Sequence, residues 1–186
     1  MDINEAHSYI SSRLAIDSSK FYTSGSNLPL GVGKLYEGVR FSVYIEEKAK
    51  FSNCDGQVIV LSHECDIDPS NARSFNDYLL ICPIIDFHGF IDEFNDHASD
   101  GHIKSFLSHL ADHKISRVIY IPHYQPNMPY GGLLYLNQIT NTHVSELSLL
   151  KVKEIGSLTA PGLQVVDYSL VNHLLRQKSV SLAFSR

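Results

Sequence analysis

Tryptophan is absent from this chain, methionine occurs twice, and cysteine occurs three times in 186 residues. Cys54, Cys65 and Cys82 are too few and too irregularly spaced for a disulfide framework. That excludes the stapled folds of small secreted proteins and points to a reducing, cytoplasmic setting. No run approaches the roughly 20 apolar residues that cross a bilayer, so no membrane partner is expected. Residues 1–5 carry neither the basic nor the apolar region of a secretory signal. Basic charge is scarce as well: 15 Lys and Arg stand against 20 Asp and Glu, a formal net charge of -5. This balance argues against a general affinity for polyanions, which rests on cations set against phosphates, and leaves room only for a local basic groove. Also missing are a Gly-x-Ser-x-Gly elbow, a kinase motif set and any Cys-x-x-Cys pair. Gly31-x-Gly33 lacks the third glycine of a dinucleotide fingerprint and the Gly-Lys-Ser/Thr of a phosphate loop, so it reads as a turn entering a strand.

What is present is a β-rich pattern framed by helices. Ala6, Ile10 and Leu14 recur on one helical face over residues 4–14. A serine-rich loop follows over 17–29. From Lys34 the chain alternates, with Val39, Phe41, Val43 and Ile45 on one face and Arg40, Ser42 and Tyr44 on the other. Residues 48–56 read as a turn, with Asp55-Gly56 as its signal. Val58 to Leu61 is apolar on both faces, as in a fully buried strand, and residues 78–85 form the next strand, with Pro83 marking an edge or bulge. Asp100, Ile103, Phe106, Leu107, Leu110 and Lys114 outline a capped amphipathic helix. Strands are expected at 117–121, 131–139 and 142–147, and a last helix at 165–176. Short strands with turn signals between them favour a small barrel or curled sheet over a parallel one. The expected fold is mainly β with flanking helices, in one domain over 1–186. Residues 1–33 give a helix and loop, 34–147 a β-barrel core with a helical insertion at 100–114, and 148–186 a helical extension.

Reactive side chains crowd the end of the buried strand, at Ser62-His63-Glu64-Cys65-Asp66. If the strand continues through them, His63 and Cys65 share one face and Glu64 and Asp66 the other. His-x-Cys would then be half of a zinc site, but the remaining ligands are not evident, Cys82, His88 and His123 being distant candidates. Cys65 as a thiolate nucleophile with a nearby histidine is a second reading, giving His63, Cys65 and Asp66 as candidate catalytic residues. The plainest reading packs Cys65 and Ile67 inward and uses Asp66 or Asp68 to tie the following turn. His102, His109 and His113 cluster on the wheel of the 100–114 helix, with His109 and His113 at the i, i+4 spacing of a zinc helix, yet without the glutamate of a metalloprotease. Neither a metal nor another cofactor is assigned. Strand-borne tyrosines together with Lys34, Arg40, Lys48, Lys50 and Arg117 would make a groove for single-stranded nucleic acid.

Three segments carry a resemblance. Gln57-Val58-Ile59-Val60-Leu61-Ser62 resembles the second core strand of MazF/PemK-like proteins. The apolar run ending in Cys82-Pro83 resembles their next strand, and Gly132-Leu133-Leu134-Tyr135-Leu136-Asn137-Gln138-Ile139 a late one. Ser62-His63-Glu64-Cys65-Asp66-Ile67 is also similar to a Ser-x-x-Cys-Asp-Ile strand end of uncharacterised bacterial proteins of a related kind. The resemblance implies an SH3-like barrel, a homodimer, metal-free cutting of single-stranded RNA, an antitoxin-like protein partner, and a role for Gln138 at the RNA. The family's catalytic arginine falls where this chain has Asp55-Gly56-Gln57, so cleavage lacks its expected donor to the pentavalent phosphate. Three functions are therefore expected. The first is a MazF/PemK-like protein that binds RNA or a partner, with or without endoribonuclease activity. The second is a Cys/His- or metal-dependent enzyme at His63 and Cys65. The third is a non-catalytic module of a bacterial defence or toxin–antitoxin system.

Overall fold

A computed structural model describes residues 1–14, 18–23, 30–45, 48–67, 70 and 77–174. Its centre is an antiparallel sheet of eight strands: β1 (Tyr22–Thr23), β2 (Lys34–Ile45), β3 (Lys50–Val60), β4 (Tyr78–Asp86), β5 (Val118–Ile121), β6 (Gly132–Tyr135), β7 (Thr140–His143) and β8 (Lys153–Leu158). The strand path is β1-β8-β2-β3-β4-β6-β5, with β7 also paired to β4. Five helices accompany it: α1 (Ile3–Ser11), α2 (Glu64–Ile67), α3 (Phe87–Asn95), α4 (Asp100–Ala111) and α5 (Ala160–Leu174). The fold is thus mainly β with flanking helices. Among the described residues the two ends of the strand path do not pair, so the sheet is not closed. It does curl, because the Thr142 hydroxyl on β7 donates to the Arg40 carbonyl on β2 at 3.3 Å. No helix among the described residues is long and apolar enough to cross a membrane.

Period-two alternation sorts the core into layers. On β3, Val58 and Val60 join Tyr36, Val39, Leu79 and Ile81 inside the curl. Ile59 points the other way and joins Leu35, Cys82, Ile84, Leu134 and the α5 residue Val166. β3 is therefore buried on both faces at Val58–Val60, as its unbroken apolar run requires. A third cluster lays Ala6 and Ile10 of α1, Phe87 and Ile91 of α3, and Ile103, Leu107 and Leu110 of α4 against Tyr120 and Leu133. The helical insertion is consequently a cover for one end of the sheet.

Several expectations are corrected by tertiary context. Asp55-Gly56 is not a turn. It lies inside β3 opposite Arg40 and Val39, and the chain reverses instead between Ile45 and Lys50. Asp55 is held in the strand by Arg40 at 3.1 Å and Lys151 at 2.8 Å. Gly56 stays small because a Cβ there would lie 3.2 Å from the Phe41 ring. The 100–114 helix ends at Ala111, and an unforeseen helix precedes it, capped by Asp86 accepting from the Gly89 N–H. The last helix begins earlier than residue 165, at Ala160, and the end expected for it at 176 lies outside the described residues.

The strands expected at 131–139 and 142–147 are instead β6, which ends at Tyr135, and β7, Thr140–His143, following one another along β4, while Val144–Ser148 closes as a 3-10 helix. Ile84 pairs with Leu134, whereas Ile81 pairs with Thr140. Three residues of β4 thus span six of its partner, and the excess is the single 3-10 turn Leu136–Gln138.

A candidate binding cavity beside Arg117 and Gln138

The β5–β6 hairpin presents alternate residues to the two sides of the sheet, pairing Val118 with Tyr135 and Tyr120 with Leu133. On the helix side, Val118, Leu133, Tyr135 and the neighbouring Ile85 face Phe90 of α3 and Phe106 of α4. The two phenyl rings pack against each other, centroids 5.4 Å apart, and so form one aromatic wall. The helices do not reach the open end of the hairpin, and a cavity of about 640 Å³ remains there. That is within the usual range for a small-molecule site.

Two local devices set its rim. At the end of α4, His113 takes a left-handed conformation, φ 53°. This turn swings Lys114 to Arg117 back across the cavity mouth, with the Lys114 N–H donating to the His109 carbonyl at 2.9 Å. On the other side the 3-10 turn carries Gln138 to the cavity, and the Leu136 N–H donating to the Arg117 carbonyl at 2.8 Å ties the two sides together. Lys114 pairs with Asp112 at 2.7 Å, and that ammonium holds the Asp112 carboxyl below its ordinary range. Arg117 is exposed and has no ion pair among the described residues. Among the described residues, none that lines the cavity is acidic. An aromatic and aliphatic interior with a cationic, amide-bearing rim suits a planar group joined to an anion.

The residues singled out from sequence thus separate into three places. Arg117 and Gln138 meet at the cavity. Arg40, Lys48 and Lys50 belong to the β2–β3 hairpin, whose outer half, beyond the β4 and β8 pairings, is a two-stranded ribbon. Arg40 is engaged with Asp55, while Lys48 and Lys50 are exposed near the reversal, beside the exposed Tyr44–Phe51 ring pair. The five do not form one groove, since β3, β4 and β6 separate β2 from β5 in the sheet.

His63, Cys65 and Asp66 lie in the third place, and the strand expected to carry them stops short. The Leu61 N–H still bonds the Leu80 carbonyl at 2.8 Å, but the returning Leu80 N–H is taken at 2.7 Å by the Ser62 hydroxyl rather than by backbone. The ladder ends there, and Glu64–Ile67 closes as a single helical turn. Consequently His63 and Cys65 do not share a strand face. The His63 Nδ1 accepts the Cys65 backbone N–H at 3.3 Å, and all three side chains are exposed. Cys82 is in the core, and its thiol is pushed up to about 12 by burial. His123 sits against His7, ring centroids 5.3 Å apart, with Ser18 Oγ 3.3 Å from its Nε2. His113 lies beyond the end of α4, so His109 and His113 do not share a helical face. Among the described residues no group of three or more His, Cys, Asp and Glu could hold a metal ion.

Sequence reasoning placed Arg117 and Gln138 at a binding surface, named Phe106 and Lys114 only as parts of the amphipathic helix, and did not name Phe90. Phe90 and Phe94 with Ile91 had a readable helical spacing, hidden by the acidic composition around them. Compared with protein-family models, with curated proteins and with solved structures, the chain matches none.

Cys82 provides a stability prediction. A thiol of ordinary value 9.0 that reaches about 12 in the native protein favours folding fully below pH 9. The contribution disappears as pH rises through 12, because the unfolded chain loses that proton first. Three pH units correspond to about 4 kcal/mol. The unfolding free energy is expected to fall more steeply between pH 9 and 12 in the parent protein than in Cys82→Val. Equal slopes in denaturant titrations at several pH values would count against it.

Proposed function

We propose that this chain binds single-stranded RNA through the Arg117–Gln138 cavity, on a curled sheet of the SH3-like, MazF/PemK-like type. The observation that carries the reading is the convergence of an exposed arginine, a side-chain amide and an aromatic wall on one cavity free of acidic residues. Proteins read single-stranded RNA by taking splayed bases onto aromatic surfaces, bonding their edges with polar side chains and holding phosphates with cations. The strand order behind the resemblance supports the same reading and adds a protein partner of the antitoxin kind. Cleavage is left out of the proposal. Where the resembled family has its catalytic arginine, this chain has the Asp55 carboxylate, between Arg40 and Lys151, which offers a phosphate no donor.

Fluorescence anisotropy of a labelled oligoribonucleotide at low salt tests the proposal. Binding should weaken with salt at a shallow log–log slope, about -0.7 per phosphate neutralised on a single strand. Arg117→Gln should lower affinity about tenfold and flatten that slope. No binding at low salt, or an Arg117→Gln variant indistinguishable from the parent, would overturn it.

A further inference from the structure

We infer that the cavity is a one-nucleotide subsite, taking a single unstacked base with its attached phosphate, an inference that rests on the RNA-binding reading and narrows it. The base has a defined place. Phe90 and Phe106 form one wall, and Ile85, Val118 and Leu133 supply the floor beneath it. Aromatic side chains accept any base, because every base offers a π-face. Beside them, Gln138 brings both a donor and an acceptor to the base edge, so it satisfies purines and pyrimidines alike. The phosphate belongs at the rim. Arg117 is exposed there without an ion pair among the described residues, and Lys114 stands three residues before it, shared with Asp112.

The lining also separates this ligand from an anionic hydrocarbon chain of similar size. Gln138 and Tyr135 interrupt the apolar surface. A hydrocarbon tail would desolvate such groups and return no hydrogen bonds, at a cost of about 1–3 kcal/mol for each group left unpaired. A base offers them partners. The volume of about 640 Å³ admits a base with its sugar and phosphate, and Arg117 is the rim cation without an ion pair among the described residues, so one residue of a strand is held there while its neighbours stay outside. A base and phosphate within RNA and a free mononucleotide present the same chemistry, and the test distinguishes them.

The full-length protein is titrated calorimetrically with uridine and adenosine monophosphates, with the matching nucleosides, and with inorganic phosphate. Each monophosphate is then used to compete with a labelled oligoribonucleotide. Both monophosphates are expected to bind and to displace the RNA, with the nucleosides about tenfold weaker and inorganic phosphate weaker still. Arg117→Gln should remove the advantage of the monophosphate over the nucleoside. Phe106→Leu, which keeps an apolar side chain of similar reach, should weaken nucleoside and monophosphate alike by about tenfold, from the loss of stacking. RNA bound normally and weakened by Arg117→Gln, with no competition by monophosphate, would overturn the subsite and leave RNA binding standing, whereas RNA insensitive to both substitutions would overturn both. Monophosphate bound without RNA would overturn RNA binding and leave the subsite as a free-nucleotide site. Failure of both ligands removes both proposals.

Discussion

Removing the Glu154 carboxylate is expected to cost about 3 kcal/mol of folding stability, at the lower end of what breaking a buried ion pair costs. Lys34 opens β2 with its side chain only 3% exposed, and its Nζ lies 2.7 Å from Glu154 Oε1 on the neighbouring β8. The same carboxylate bonds the Tyr36 phenol, which burial first and Glu154 second raise to about 12. In Glu154→Ala the ammonium stays in the core with no counter-charge, and the phenol loses its acceptor. The lower end of the range applies because the Glu154 side chain is 28% exposed, so water reaches the pair from one side. The double variant Lys34→Met/Glu154→Gln removes both charges and keeps an acceptor for Tyr36, and it should recover most of the loss. Urea denaturation of the three proteins measures this. A Glu154→Ala loss below about 1 kcal/mol would mean that Lys34 hydrates freely, and the buried-pair account would fail.

Gly131→Ala should be about as damaging, for reasons of backbone rather than charge. Gly131 has φ 85°, where a β-carbon strains the chain by about 1 kcal/mol or more. A Cβ there would also press on the Ile121 carbonyl oxygen and lie 2.7 Å from the Tyr120 hydroxyl. That hydroxyl donates to the Tyr130 carbonyl at 2.8 Å and lies beneath the helical cover. Strain, collision and a lost hydrogen bond together are expected to remove about 3 kcal/mol. Gly101→Ala provides the control, since a Cβ there meets nothing closer than Ser99 Oγ at 4.0 Å and the position is helical. It should leave stability unchanged or raise it by a few tenths of a kcal/mol. Parallel thermal melts in which Gly131→Ala and Gly101→Ala behave alike would refute the steric argument.

The parts of this fold legible from sequence are those whose signal is local. Val58-Ile59-Val60 is apolar on both faces because both faces are covered, and the alternation from Val39 to Ile45 matches its burial. The readings that failed were local signals overruled from a distance. Asp55-Gly56 looks like a turn until Arg40 and Lys151 are brought to the aspartate. His63 and Cys65 look like a strand pair until Ser62 takes the N–H of Leu80, 18 residues away. The cavity was half legible for the same reason. Arg117 and Gln138 can be named as polar residues at strand ends, but the wall they face comes from Phe90 and Phe106 on two helices, and only the packing of the insertion onto the β5–β6 hairpin joins them.

The break at Leu136–Gln138 also acts as a change of reading frame within one strand. Three residues are inserted, an odd number, so the side chains that face a given layer switch parity across it. Leu134 shares a layer with its partner Ile84, on the side of α5. Thr142, an even number of residues further on, is buried opposite Leu79, which belongs to the inside of the curl. One strand therefore serves two cores without a second crossing of the sheet. With the turn kept at three residues, adding or deleting a single residue between Tyr135 and Thr140 would slip β7 by one and turn its inward set out to solvent. The turn thus sets which layer β7 serves, although Asn137 at its middle is exposed.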